Sequence, residues 1–221
     1  MQNNKFIKLE FKKLSLEEIE KKSKDFYKLM DERRTVREIS SKPLSDEIYQ
    51  NLILSAGTAP SGANQQPWTF CLVRDPSIKK QIREEAEKIE KRSYEELFSE
   101  EKKDAISFTG LDWHKAFLEE APALIIVFKH KYQLDENGNR VKVYYPNEGV
   151  GLALGMLFTA IHSCGLVTTP YTPHPITFLK KILNRPDNEA PVMILPIGLP
   201  KDEAMVPNKE RKPLDKIMIE Y

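Results

Sequence analysis

The chain has 221 residues, a length that suits one domain able to bury a sizeable core. Its formal net charge of +1 excludes a general polyanion binder, so a nucleic-acid partner is not expected and any phosphate site must be local. Cys71 and Cys164 both lie in apolar runs and read as free buried thiols in a reducing cytosol, not as a disulfide scaffold.

The opening MQNNKFIKLEFKK lacks the apolar core of a signal peptide. Ser15-Leu16-Glu17-Glu18 has the form of a capping box and predicts a helix from about residue 16 toward Asp31, with Ile19, Phe26, Tyr27 and Met30 on its apolar face. It runs into ERRTVRE, where Arg33, Arg34, Thr35 and Arg37 crowd together. Cations at a helix C-terminus offset its dipole, and guanidinium forks also suit a compact phosphate; the residues alone leave both readings open. A second helix is expected after Ser45, with Ile48, Leu52, Ile53 and Ala56 on one side and Gly57 as its stop. The loop PSGANQQPW that follows is rich in amides and hydroxyls. It reads either as a surface turn or as a loop approaching a planar polar ligand. A strand is expected around Thr69–Val73.

Asp75-Pro76 is a helix start, an N-cap followed by proline in the first turn. The charged helix it opens extends to about Tyr94, and its i,i+4 spacing puts Glu90 and Tyr94 on one face. Glu84, Glu85, Glu87, Glu95 and Glu96 read as solvated charges. Residues 95–115 read as irregular, PALIIVF (122–128) as a fully buried strand, and Asn137-Gly138 as a turn into a hairpin partner, VKVYY. The run GVGLALGMLFTAIHSCGLV carries no charged residue but holds His162, Ser163 and four glycines. It reads as a buried central helix over 149–164 ending at Gly165, not as a membrane span. Gly149, Gly151 and Gly155 depart from the dinucleotide fingerprint, and no acidic residue follows before Pro186, so they read as packing glycines. A short strand, a small helix near Ile176–Leu183 and the strand PVMILPIG (191–198) complete a three-layer α+β or α/β pattern. His114, His130, His162 and His174 lack metal-ligand spacing, and neither a nucleophile elbow nor a Walker loop is present.

Taken together, ERRTVRE, APSGANQQPW, GLVTTPYTP and ERKPLD resemble the nitroreductase superfamily of FMN-dependent enzymes over roughly residues 15 to 221. The charged helix with Glu90 and Tyr94, followed by DWHKAFLEEAP with Lys115, is similar more narrowly to the iodotyrosine deiodinase family. The resemblance implies a three-layer α+β nitroreductase-like fold, a mixed sheet flanked by helices. It implies one domain over 1–221, with a substrate lid at about 85–115 and a C-terminal arm at about 200–221 exchanged in a homodimer.

It further implies that Arg33, Arg34, Thr35, Val36 and Arg37 hold FMN, joined by Arg211. Pro60 and Ser61 would reach the flavin across the dimer interface. Pro170, Tyr171 and Thr172 would line it, with the Thr172 hydroxyl near N5 as the catalytic group. Ala63 would offer its N–H to the substrate phenolate, while Glu90, Tyr94 and Lys115 bind the amino acid end. The implied reaction is dehalogenation of halotyrosines by stepwise electron transfer, from an electron donor that the sequence does not identify. The alternative is a broad NAD(P)H-dependent nitroreductase or quinone reductase. Without the membrane anchor that precedes some family members, the chain is expected to be soluble and cytoplasmic, with no metal.

Overall fold

The computed structural model describes residues 6–107, 110 and 112–221, in two compact units, Met1–Arg33 and Arg34–Tyr221. Residues 1–5, the start of the stretch read as lacking a signal-peptide core, and 108, 109 and 111, within the expected lid, lie outside the described residues.

In the first unit, helix α1 (Leu16–Glu32) begins at the expected capping box. The Ser15 Oγ accepts from the Glu18 N–H at 3.1 Å and the Glu18 carboxylate accepts from the Ser15 N–H at 2.7 Å. Arg33 caps the other end, its N–H donating to the Met30 carbonyl at 3.2 Å. The helix buries none of its residues, and Ile19, Phe26 and Tyr27 stand exposed.

The second unit carries strands β1 (Trp68–Val73), β2 (Ala123–His130), β3 (Tyr132–Leu134), β4 (Arg140–Lys142), β5 (Val167–Thr168) and β6 (Glu189–Gly198). Its helices are α2 (Asp46–Gly57), α3 (Pro76–Arg92), α4 (Glu100–Ser107), α5 (Phe117–Glu120), α6 (Pro146–Ser163) and α7 (Phe178–Ile182). The main sheet has the order β1-β2-β6-β5, and β3-β4 form a separate hairpin.

Alternation along β2 explains the layers. Side chains of a strand point to opposite faces, so one that is apolar at every position needs cover on both sides. Ile125 and Val127 pack with Leu52 and Ala56 of α2, Val150 and Leu157 of α6, and Leu195. Leu124, Ile126 and Phe128 pack with Ile82 and Ala86 of α3, Phe117 and Leu118 of α5, Leu179 of α7, and Ile194. The result is the expected three-layer α+β arrangement.

Several details differ from the sequence reading. The sheet is antiparallel in all three of its recorded pairings, not mixed. Val73 pairs with Leu124, so the chain re-enters the sheet at the end where β1 left it, which forces β2 to run the opposite way. Residues read as irregular contain α4 and, before it, a π turn at Ser93–Leu97. Good helix formers there are supported by an i,i+3 pair, Lys103 to Glu100 at 2.7 Å. Gly57 closes α2 without a left-handed turn, and Thr58 caps it. Cys71 is half-buried, but Cys164 is exposed, because it caps the end of α6 and not its packed face.

Helix α6 starts earlier than expected, at Pro146, and is buried on one face only. Val150, Ala153, Leu157 and Ile161 pack inward, while Gly151, Leu152, Gly155 and Met156 are exposed. Gly165, at φ +72°, ends it: the Gly165 and Leu166 N–H groups return to the carbonyls of His162 and Ile161, both at 3.0 Å. Among the described residues no helix is long and apolar enough to cross a membrane.

Candidate functional site

Residues 34–40 are extended and laced between β5 and the chain after β6. The Val36 N–H donates to the Thr168 carbonyl at 3.1 Å, and the Ser40 N–H to the Leu199 carbonyl at 2.8 Å. Lys201 donates its N–H to the Glu38 carbonyl at 2.9 Å, and Met205 donates its N–H to the Glu38 carboxylate. With Val36 buried as the anchor, Thr35 and Arg37 are left half-buried on either side. The Arg34 guanidinium, also half-buried, donates to the Pro207 carbonyl. Burial pulls the Arg37 guanidinium below its ordinary range, partly offset by Tyr94. No carboxylate among the described residues forms an ion pair with Arg34 or Arg37. Thr168 adds a buried hydroxyl with no hydrogen-bond partner. Arg211 lies farther along the same C-terminal segment and is exposed. Arg33 belongs to the first unit, as the cap of α1.

Glu90, Tyr94 and Lys115, the three residues expected on a lid, do come together. The Lys115 side chain is 2% exposed, and its Nζ lies 3.5 Å from the Glu90 carboxylate and donates to the Asp112 carbonyl. The same ammonium stands 5.8 Å from the Tyr94 ring centre and 6.0 Å from that of Tyr171, within cation–π range. Tyr171 is fixed from behind: its N–H and carbonyl both pair with Ile194, at 3.0 and 2.9 Å, and its ring meets Phe117 edge-on at 5.8 Å. Its hydroxyl is buried without a partner of good geometry; burial first, then the Glu90 carboxylate, hold the phenol far above its ordinary range. Burial and Glu90 also raise the Tyr94 phenol, while Arg37 pulls it back, which places Tyr94 near Arg37.

Burial pulls the Lys115 ammonium below the ordinary lysine range, and Glu90, Asp112 and Glu87 only partly restore it. A lysine so placed loses its charge on the alkaline side earlier than a free one does. Affinity for an anionic group at this site should therefore fall with rising pH before an ordinary lysine titrates. In Lys115→Arg the affinity should persist to higher pH, because arginine stays charged. Titrations of both proteins from neutral to alkaline pH check this; identical alkaline limbs would remove Lys115 from anion binding.

The loop 60–66 goes elsewhere. The Ser61 Oγ accepts the Gln66 N–H at 2.9 Å, and Gln65 ties the loop to the β3–β4 hairpin through the Lys142 carbonyl and the Tyr144 N–H, both at 2.8 Å. Gly62 is required there, since an added Cβ would sit 2.8 Å from the Tyr144 Cβ. Ala63, Asn64 and Gln66 have φ of 50°, 54° and 48°, a left-handed run costing of order 1–3 kcal/mol each, of the kind that collects at ligand sites. None of the loop's recorded hydrogen bonds reaches Arg34, Arg37 or Lys115. Pro60, Pro170 and Thr172 are exposed, and Ser61 is half-buried.

Residues 30–199 match the nitroreductase family. The iodotyrosine deiodinase of Haliscomenobacter hydrossis is 48% identical over 205 residues, 93% of this chain and 92% of that one. That of Nematostella vectensis is 45% identical over 205 residues, 92% of this chain and 77% of its own. The chain belongs to the nitroreductase family, in its iodotyrosine deiodinase group. A crystal structure of oxidized iodotyrosine deiodinase bound to FMN and 3-iodo-L-tyrosine matches the fold with a TM-score of 0.77 at 33% identity, covering 89% of this chain and 98% of that one.

For this nitroreductase-family chain, the fold gives two residues neighbours that the sequence does not announce. Tyr171, expected to line the flavin, pairs its backbone with Ile194 and has its ring edge-on to Phe117 and 6.0 Å from the Lys115 ammonium. Glu87, read as a solvated charge, has a side chain only 16% exposed and accepts the Lys115 N–H at 2.7 Å. Its position three residues before Glu90, on the same helical face, is the one signal in the sequence that could have singled it out.

Proposed function

We propose that this chain binds FMN along Arg34–Arg37 and reductively removes halogen from halotyrosines held beneath α3. The relatives and the FMN-bound neighbour support the cofactor and the reaction. The observation that carries the substrate class is the Glu90–Lys115 pair, buried beside two tyrosines. A free amino acid offers an ammonium to Glu90 and a carboxylate to Lys115, so its two charges replace one buried pair by two complementary ones.

The donor set fits FMN. Two half-buried guanidinium groups without carboxylate partners, the Thr35 hydroxyl and the unpartnered Thr168 hydroxyl match phosphate oxygens and flavin carbonyls. Arg33 and Arg211 are proposed to join the phosphate from their places in ERRTVRE and ERKPLD. Reduced FMN, when bound, supplies the two electrons that, with a proton, exchange a ring carbon–halogen bond for carbon–hydrogen and release halide. Thr172 presents an exposed hydroxyl and is proposed to donate to N5, and Ala63 its N–H to the substrate phenolate. Tyr94 and Tyr171 flank the charged pair, fixing the amino acid end and excluding water.

Replacing Arg37 by alanine should weaken FMN binding about ten- to a hundredfold, the loss of one charge-assisted contact of roughly 1.5–3 kcal/mol. Flavin fluorescence on titrating the apoprotein with FMN measures it, and unchanged affinity would place the flavin elsewhere.

A homodimer completes the reading. The exposed Gly151, Leu152, Gly155 and Met156 of α6 form a face where small residues permit close approach, and no atom lies within 4 Å of a Cβ built on either glycine. The C-terminal segment exposes Met205, Leu214, Ile217, Met218 and Ile219, apolar groups suited to an arm laid on a second copy. Pro60 and Ser61 would then serve the other subunit's flavin, in keeping with a loop bonded away from its own arginines. The two free thiols suit the reducing cytoplasm, where we place the protein.

The test is a titration of the FMN-loaded protein with 3-iodotyrosine, read in the flavin spectrum. The expected result is saturable binding. An unchanged spectrum, with a nitroarene still reduced, would favour a general nitroreductase.

A further inference from the structure

We propose that Glu87 is a positioning residue for Lys115, a clamp on α3 that fixes where the substrate-binding ammonium stands. The inference rests on the substrate reading above and deepens it.

Helix α3 presents two carboxylates one turn apart to the segment that crosses it. Glu90 faces the Lys115 ammonium at 3.5 Å, and Glu87 takes the backbone N–H of the same residue at 2.7 Å. The Lys115 carbonyl in turn accepts the Leu118 N–H at 2.9 Å and so opens α5. Lys115 is thereby held at both ends of its main chain, by α3 on one side and by α5 on the other. With the backbone pinned, the side chain has a short choice of rotamers that bring Nζ to Glu90 and to the Asp112 carbonyl.

Glu87 is itself held. The Arg83 guanidinium lies 3.9 Å from the same carboxylate oxygen that accepts the Lys115 N–H, and 3.1 Å from the Glu119 carboxylate of α5. Three charges from two helices, Arg83, Glu87 and Glu119, thus converge beside the Lys115 main chain. A charged acceptor makes a backbone hydrogen bond roughly twice as strong as a neutral one, so a carboxylate here is a firmer clamp than an amide. The recorded hydrogen bond of Glu87 goes, through Oε1, to the Lys115 main chain, so no contact of Glu87 with the amino acid is part of the proposal. It acts through where it holds Lys115. Placement of this kind matters because a displacement of about 1 Å at a binding group costs large factors in affinity or rate.

The experiment compares the FMN-loaded parent with Glu87→Leu, which removes the acceptor at similar volume, Glu87→Gln, which keeps a neutral acceptor, and Lys115→Gln. Glu87→Leu should raise the Kd for 3-iodotyrosine about tenfold or more, leave FMN affinity within about twofold, and leave turnover at saturating substrate near that of the parent. Glu87→Gln should recover most of the lost affinity. A purely structural role predicts instead that FMN affinity, turnover and melting temperature fall together. Amide exchange in the unmutated holoenzyme gives a second reading: the Lys115 N–H should exchange far more slowly than exposed loop amides such as that of Glu136.

Parent-like affinity in Glu87→Leu alongside weakened Lys115→Gln would overturn the clamp and leave the substrate reading standing. Equal loss in Glu87→Gln and Glu87→Leu, or rapid exchange at the Lys115 amide, would also overturn it. If the parent itself fails to bind 3-iodotyrosine, the substrate reading falls, and the clamp's role in recognition falls with it.

Discussion

Replacing Lys115 by glutamine should raise the Kd for 3-iodotyrosine from roughly 30-fold to several-thousandfold, with FMN still bound. Truncating one member of a buried, hydrogen-bonded charge pair costs about 2–5 kcal/mol, and each 1.4 kcal/mol is a factor of about ten. Lys115 qualifies because its side chain is 2% exposed and its ammonium lies against Glu90. In the complex, glutamine would leave the substrate carboxylate buried without a cation. Glu90→Gln should weaken binding in the same direction by stranding the substrate ammonium. Flavin-spectrum titrations of the two variants measure this. Parent-like affinity in both would disprove the proposal that Glu90 and Lys115 bind the amino acid end.

The second large effect concerns stability. Glu189 opens β6 with 5% of its side chain exposed and accepts two hydrogen bonds from Arg185 and one from Thr69, each at 2.7 Å. His130 completes the group, its Nε2 2.9 Å from the Thr69 hydroxyl and 3.6 Å from the carboxylate. Removing one partner of such a group strands the rest, at about 3–5 kcal/mol when all are buried. Arg185 still reaches water, so Glu189→Ala should cost about 3 kcal/mol, lowering the melting temperature by roughly 6–12 °C.

The pH dependence has a definite sign. Burial works to raise the Glu189 carboxyl, but Arg185 and Thr69 outweigh it, and the folded-state value lies below the ordinary one. A depressed carboxylate stabilises the fold above its unfolded value of about 4.3, and that stability is lost as pH falls through the folded value. Glu189→Ala should lack this acid-limb contribution. Denaturant melts of both proteins across acid pH test it, and parallel curves would mean that the carboxylate contributes nothing to the fold.

Some of this was legible because the signals are local. The capping box at Ser15 and Glu18, Asp75-Pro76 at the head of α3, the unbroken apolar run of β2 and Gly165 after α6 each act within a few residues, so sequence alone places them. What stayed hidden depends on partners far along the chain. Nothing in β1 or β2 announces that they run antiparallel, because that follows from the path of the helices between them. Glu87 looks like its neighbours Glu84 and Glu85 until residue 115 arrives to use it. Nothing near Tyr171 in the sequence announces that its backbone pairs with Ile194, on β6. The Thr69–His130–Glu189 group joins three strands, and no spacing rule would have assembled it.

In the proposed reaction a flavin on Arg34–Arg37 and an amino acid on Glu90 and Lys115 meet to remove halogen. The most direct test is a single turnover without oxygen: the FMN-loaded protein is reduced with dithionite, freed of excess reductant, and mixed with 3-iodotyrosine. About one iodide and one tyrosine should appear per reduced flavin, from the two-electron balance of the reaction. The reaction should be lost at the same substrate concentration in Lys115→Gln. Reoxidation of the flavin with no iodide released, or iodide release that Lys115→Gln leaves unchanged, would contradict it.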